Sequence, residues 1–312
     1  MIQLKINSSK GMYLNNELLL TKLDKYNNMF INEKKLLNSS NNTITTYLYI
    51  LERFYEYIIE SDDINELEYI GKTVVLGFTN KDASAANATR ILYLAVIKSY
   101  LSFIDEKENL NGLFEHRLTK LTIKKESVEV DALDDIEVEK LLELFSKKTK
   151  SFNKHRDSLL IKLILFTGIR ASECLDIKLN DLSLIEEGSV HKIKILGKGS
   201  KERFVYIAVE KIENELLFLK DYIVDYIAIT NQQKRMSRVG LYKVISNKMK
   251  KTGINKKGVH ILRHTFARRL VAKNINLVTI SELLGHADIT LTAKTYARSN
   301  EGNKIRAVME LA

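Results

Sequence analysis

β-Strand patterning appears once in this chain, between Leu182 and Ala208, and helical patterning dominates the rest. Within that stretch, HKIKIL (191–196) and RFVYIA (203–208) are rich in β-formers. They flank Gly197-Lys198-Gly199-Ser200-Lys201-Glu202, whose glycine-rich and polar chemistry suits the turn of a hairpin. One small antiparallel sheet among helices restricts the fold to a mainly α class. At 312 residues the chain should form two domains of ordinary size.

Apolar residues recur at three- and four-residue intervals in Ile44–Ile59, with Glu52, Arg53 and Glu56 between them, which predicts an amphipathic helix. A second helix is expected over 83–104, with Asp82 or Ser84 as its cap. Shorter helices are expected at 17–30 and 64–78. The charged, weakly periodic stretch 111–134 reads as a linker. It separates a helical domain (1–110) from a mostly helical domain with the small sheet (135–312). In the latter, helices are expected at 136–145, 156–167, 210–227, 238–251, 260–273, 277–284 and 304–311. No internal repeat is visible.

Composition narrows the partners. Lys and Arg number 49 against 39 Asp and Glu, a net charge of +10, which favours a polyanion because each cation placed near a phosphate releases counterions. No run approaches the roughly 18 apolar residues of a membrane span, and the opening MIQLKINSSKG has no signal-peptide core. The single cysteine, Cys174, cannot form an intramolecular disulfide. A cytoplasmic location is expected.

Four stretches of the second half could carry chemistry. In Thr167-Gly168-Ile169-Arg170-Ala171-Ser172-Glu173, Gly168 breaks a helix, and Arg170 and Glu173 fall three apart on one face of the next. They form either an ordinary surface ion pair or a turn that presents a guanidinium fork to phosphate oxygens. At the hairpin tip, Lys198 is either solvated or, with flexible glycines beside it, able to reach a site; Lys201 competes for that role. GKGSK lacks P-loop spacing and leads into a strand, so it is no nucleotide cradle.

In His260-Ile261-Leu262-Arg263-His264 the two histidines and the arginine share a helix face. A zinc reading fails, because Ile261 stands where a metalloprotease has its general-base glutamate and Arg263 would repel a cation. The face suits an anion instead, with His264 more often a core histidine than a catalyst. Last comes Leu284-Gly285-His286, where Gly285 reads as a helix stop, followed by Tyr296 in TAKTY. Fourteen tyrosines occur, and spacing alone does not single out Tyr296.

In this order the four stretches resemble the tyrosine recombinase (phage integrase and Xer) family over about 135–298. The resemblance places the family's catalytic positions on Arg170, Lys198, His260, Arg263, His286 and Tyr296, with Glu173 as a supporting acid. Val259 departs from a common proline, Tyr296 is followed by Ala297-Arg298, and the ten-residue step from His286 to Tyr296 leaves the subfamily open. The first domain fits the family's core-binding domain by composition only.

The resemblance implies a DNA recombinase that works through a 3′-phosphotyrosine and a Holliday junction, either a Xer-like resolvase or a short mobile-element integrase. Tyr296 would be the nucleophile, His260 the base and Lys198 the acid for the 5′ oxygen. Arg170 and Arg263 would bind the non-bridging oxygens, and His286 would donate to the same phosphate. No metal or nucleotide cofactor is implied. The implied partners are duplex DNA with inverted binding arms and three further copies of the chain, with no membrane and any accessory protein unknown. The final helix 304–311 would dock on a neighbouring protomer or on its own domain. The rival readings are a type IB topoisomerase and a catalytically silent DNA-binding protein.

Overall fold

The computed structural model describes residues 17–61, 63–125, 131–197, 202–286, 288–296 and 309; the side chains of Leu291, Lys294 and Tyr296 lie outside the described set. Contacts divide the chain into two units, with the division between residues 128 and 129.

The first unit contains helices α1 (Glu17–Leu36), α2 (Asn41–Ile59), α3 (Lys72–Asn80), α4 (Asn87–Glu108) and α5 (Leu113–Leu118). The Ser40 hydroxyl caps α2 by accepting the Thr43 N–H at 3.2 Å, so the helix starts before its apolar periodicity does. Phe30, Phe54, Ile58, Ile97 and Tyr100 lie in one buried core, where Phe30 meets Tyr100 and Phe103 edge-on at 5.5 and 5.4 Å. α4 starts at Asn87 rather than near 83. Asp82 closes a turn of its own, accepting from the Ser84 N–H and hydroxyl at 3.1 and 2.6 Å.

The expected linker is corrected in its first part. Asp105 Oδ2 accepts the N–H groups of Phe114 and Glu115 at 2.8 and 3.0 Å, which fixes the start of α5. Phe114, Leu118 and Leu121 then bury in the core of the first unit. A six-residue helix is too short to show an apolar repeat in sequence.

The second unit contains α6 (Asp135–Glu143), α7 (Phe152–Thr167), α8 (Ala171–Asp176), β1 (Leu182–Ile185), β2 (Val190–Leu196), β3 (Glu202–Ala208), α9 (Val209–Leu219), α10 (Arg238–Lys251), α11 (Val259–Ala272), α12 (Leu277–Leu284) and α13 (Ile289–Tyr296). Leu159, Leu160, Ile161, Leu163, Ile164 and Leu165 are all buried, so the second half of α7, apart from Lys162, is enclosed by the core and forms its centre. α9 and α11 pack against it. The sheet has antiparallel order β1-β2-β3, with Leu182 facing Ile193 and Leu196 facing Glu202. Ile193, Ile195, Val205 and Ile207 point inward from it.

The helix expected over 210–227 ends at Leu219. Beyond it the Ile227 N–H bonds Ile177 O and the Leu179 N–H bonds Asp225 O, at 2.9 and 3.2 Å. Ile223, Ile227 and Ile229 are therefore buried as irregular chain, although their spacing mimics a helix face. The expected helix 304–311 lies outside the described residues apart from Met309.

Candidate active site

Two glycines end helices at the site. Gly168 after α7 and Gly285 after α12 have φ of +66° and +65°. This left-handed backbone stops a helix and leaves its last carbonyls accessible. Arg263, on α11 and only 5% exposed, donates from Nη1 to Gly168 O at 2.6 Å and from Nη2 to Leu284 O at 2.8 Å. Arg170 donates from Nη2 to Gly285 O at 2.8 Å. Both guanidiniums thus rest on the negative ends of helix dipoles. A Cβ at 168 would strike the Phe266 ring at 2.3 Å, and one at 285 would strike the Arg203 guanidinium at 2.8 Å.

Arg170 and Glu173 do not share the face of a helix. Arg170 is the N-cap of α8 with extended backbone, and Glu173 folds back onto it. Glu173 Oε2 accepts the Arg170 N–H at 2.6 Å, and Oε1 accepts Arg170 Nη1 at 2.8 Å. The Glu173 side chain is 4% exposed, which removes the surface ion-pair reading. Burial works to raise its pKa, but hydrogen bonds from Arg203 and Arg170 hold it below the ordinary carboxylate range.

His286 joins the cluster through Arg263, whose Nη2 lies 3.0 Å from His286 Nε2. A guanidinium only donates, so Nε2 accepts and the ring proton sits on Nδ1, 2.7 Å from the buried Thr292 hydroxyl. Burial pushes His286 down to about 4, with Arg263, Arg170 and Arg203 adding to it. The ring is neutral at pH 7 and here receives a hydrogen bond from Arg263. On α11, burial lowers His260, and Arg238, Arg263 and Arg170 lower it further. His264, its ring centroid 6.4 Å from that of His260, is brought to about 4 by burial, His260 and Arg263.

These depressed values set a pH dependence. His264 and His286 bind a proton near pH 6.5 when unfolded but only near pH 4 when folded. The stability held by their neutral rings is complete above pH 6.5 and is withdrawn as pH falls toward 4. The thermal midpoint should therefore drop between pH 7 and pH 4.5, and His264→Gln should make that drop shallower. Parallel curves for variant and wild type would show that His264 is not held neutral.

The remaining positions divide as follows. Lys198 and its competitor Lys201 lie outside the described residues, though β2 and β3 pair up to Leu196 and Glu202 on either side. Tyr296 is the last residue of α13, four beyond Thr292 and thus one turn along the same helix face. Two contributors went unread in the sequence. Arg203 donates bidentately to Glu173 at 2.8 Å on both oxygens. Its signal was the alternation of β3, since Val205 and Ile207 point inward and residue 203 follows the same phase. Thr292, which fixes the His286 ring, left no signal.

Residues 131–303 match the phage integrase family. Tyrosine recombinase XerD of Oceanobacillus iheyensis is 29% identical over 265 residues, covering 81% of this chain and 86% of that protein. Tyrosine recombinase XerH of Helicobacter pylori is 30% identical over 290 residues, with coverages of 84% and 78%. Among solved structures, XerH site-specific recombinase bound to palindromic difH substrate in a post-cleavage complex matches with a TM-score of 0.73 at 26% identity, over 94% of this chain and 85% of that one. The chain belongs to the phage integrase family, as a Xer-like tyrosine recombinase. It is an enzyme of site-specific DNA recombination that breaks and rejoins strands. Among the described residues no helix is long and apolar enough to cross a membrane.

Proposed function

We propose that Tyr296 cuts duplex DNA by attacking a phosphodiester within a phosphate site built from Arg170, Arg263 and His286. The observation that carries this reading is the convergence of those three side chains, two of them bonded to carbonyls 115 and 95 residues away in sequence. Arg170 and Arg263 bind the non-bridging oxygens and stabilise charge that builds in the transition state. A phenol with pKa near 10 is a weak nucleophile and needs a base. His260, with its pKa lowered, is neutral at pH 7 and takes that proton.

As the Tyr296 Oη–P bond forms, the P–O5′ bond breaks and the departing oxygen takes a proton from Lys198. The products are a 3′-phosphotyrosine and a 5′ hydroxyl. One phosphoester replaces another, so rejoining to a new 5′ hydroxyl needs no ATP. Guanidiniums supply the charge stabilisation that metal ions give in many nucleases, and the step uses no metal or nucleotide cofactor. His286 orients Arg263 in the free protein; with DNA bound, a proton on Nε2 lets it donate to the phosphate.

The first unit binds DNA alongside the second, on a site with inverted arms, in the cytoplasm. Four protomers exchange strands through a Holliday junction. The reading is supported by the family match and by relatives whose structures hold DNA. Denaturant quenching of a reaction on a pool of duplex fragments should trap covalent protein–DNA complexes. The recovered fragments should share one inverted-repeat sequence. Relaxation of any supercoiled plasmid without sequence preference would indicate a type IB topoisomerase, and failure to form any adduct would indicate a silent DNA-binding protein.

A further inference from the structure

Arg203 opens the inward face of β3 with its side chain 14% exposed. Its Nη1 and Nη2 meet Glu173 Oε1 and Oε2 at 2.8 Å each, fork to fork, and its Nε donates to Leu283 O at 3.3 Å. Such bidentate pairs fix orientation as well as adding energy. Glu173 also accepts the Arg170 N–H and Arg170 Nη1. Those four bonds fill the roughly four acceptor sites of a carboxylate. Arg170, more exposed at 35%, therefore has a single side-chain bond to Glu173 and a second to Gly285 O.

Without Arg203, one edge of a buried carboxylate would stand open. Burial makes an unpaired carboxylate oxygen costly, so the nearest guanidinium would turn to fill it. That guanidinium is Arg170, and a bidentate grip on Glu173 would take N–H groups away from the phosphate. Gly285 ties the two arginines together a second time. It lacks the Cβ that would strike the Arg203 guanidinium at 2.8 Å, and its carbonyl receives Arg170.

We propose that Arg203 is a positioning residue for phosphate binding: by clamping one edge of Glu173 it limits Arg170 to one side-chain contact there and keeps the rest of that fork available to the scissile phosphate. The proposal rests on the assignment of Arg170 to the phosphate made above. It gives Arg203 a part in the reaction without any contact to DNA.

The test compares a phosphodiester substrate with one carrying a methylphosphonate at the scissile position. The methyl group removes the negative charge of a non-bridging oxygen, so a neutral centre depends less on a guanidinium. Single-turnover cleavage at saturating DNA is measured for wild type, Arg170→Ala, Arg203→Met and Arg203→Lys. Losing one transition-state donor outright slows reactions by about 10²–10³-fold, so an indirect loss in Arg203→Met should slow phosphodiester cleavage by about 10- to 100-fold. DNA affinity should stay within about threefold. On the methylphosphonate the Arg203→Met deficit should shrink to below about threefold, in parallel with Arg170→Ala.

Arg203→Lys keeps the charge without the fork and should fall between wild type and Arg203→Met. The ratio of the two rates within one preparation does not depend on how much of it is folded. Equal deficits on both substrates, no deficit at all, or a wild-type rate in Arg203→Lys would each overturn the proposal. If Arg170→Ala itself shows no substrate-dependent deficit, the phosphate assignment fails, and the role of Arg203 fails with it.

Discussion

Tyr296→Phe is expected to lose the covalent complex with DNA entirely, a fall of at least about 10⁴-fold in adduct formation. Phenylalanine keeps the ring and removes only the hydroxyl, so helix α13 and its contacts should persist. DNA binding should stay within about threefold, because the binding charge resides on arginine and lysine. The assignment rests on the family resemblance, and Tyr296 stands one turn beyond Thr292, which bonds His286, on α13. An adduct that survives in Tyr296→Phe would move the nucleophile to another of the 14 tyrosines. Denaturing electrophoresis of labelled DNA measures it directly.

Arg263→Ala should have the second-largest effect, because under the proposed function one side chain serves both the fold and the reaction. It bonds Gly168 O, Leu284 O and His286 Nε2 from a position only 5% exposed. Truncation leaves buried acceptors unpaired, and stability should fall by about 3 kcal/mol. Loss of a transition-state donor adds about 10²–10³-fold in cleavage rate at saturating DNA. Arg263→Lys should recover little of either, since an ammonium at the end of a flexible stem cannot span both carbonyls. Denaturant unfolding and single-turnover cleavage read the two losses separately. Cleavage at the wild-type rate in Arg263→Ala would remove it from the phosphate.

Sequence logic reached some of this molecule to the residue and missed other parts for identifiable reasons. α10 and α12 run over Arg238–Lys251 and Leu277–Leu284 as their patterns indicate, because Ser237 and Asn276 cap them and Gly285 stops the second. The hairpin was legible from its turn, while β1 lacked a β-rich run of its own. α5 was not legible, since its start depends on the Asp105 carboxylate rather than on periodicity. The stretch 220–229 misled because Ile223 and Ile227 are spaced as on a helix but bury in irregular chain.

At the site, the order of the proposed functional residues comes from family resemblance. Their meeting was not readable, because Arg170, Arg263 and His286 are joined by backbone carbonyls that carry no sequence signature. The spacing of Arg170 and Glu173 suggested a shared helix face. The same three-residue interval also serves a helix cap, and that is how the chain uses it.

The helix ends that hold Arg170 and Arg263 orient these groups without neutralising them. Arg170 and Arg203 share the buried carboxylate of Glu173, while Arg263 rests on the Gly168 and Leu284 carbonyls and on His286. Like charges held this close raise the electrostatic self-energy of the fold. Under the proposed phosphate site, DNA would supply counter-charge to this cluster, and relief of that repulsion would add to its affinity. A ligand that binds the folded cluster would stabilise the fold by linkage, so DNA should raise the thermal midpoint in wild type and raise it less in Arg170→Ala.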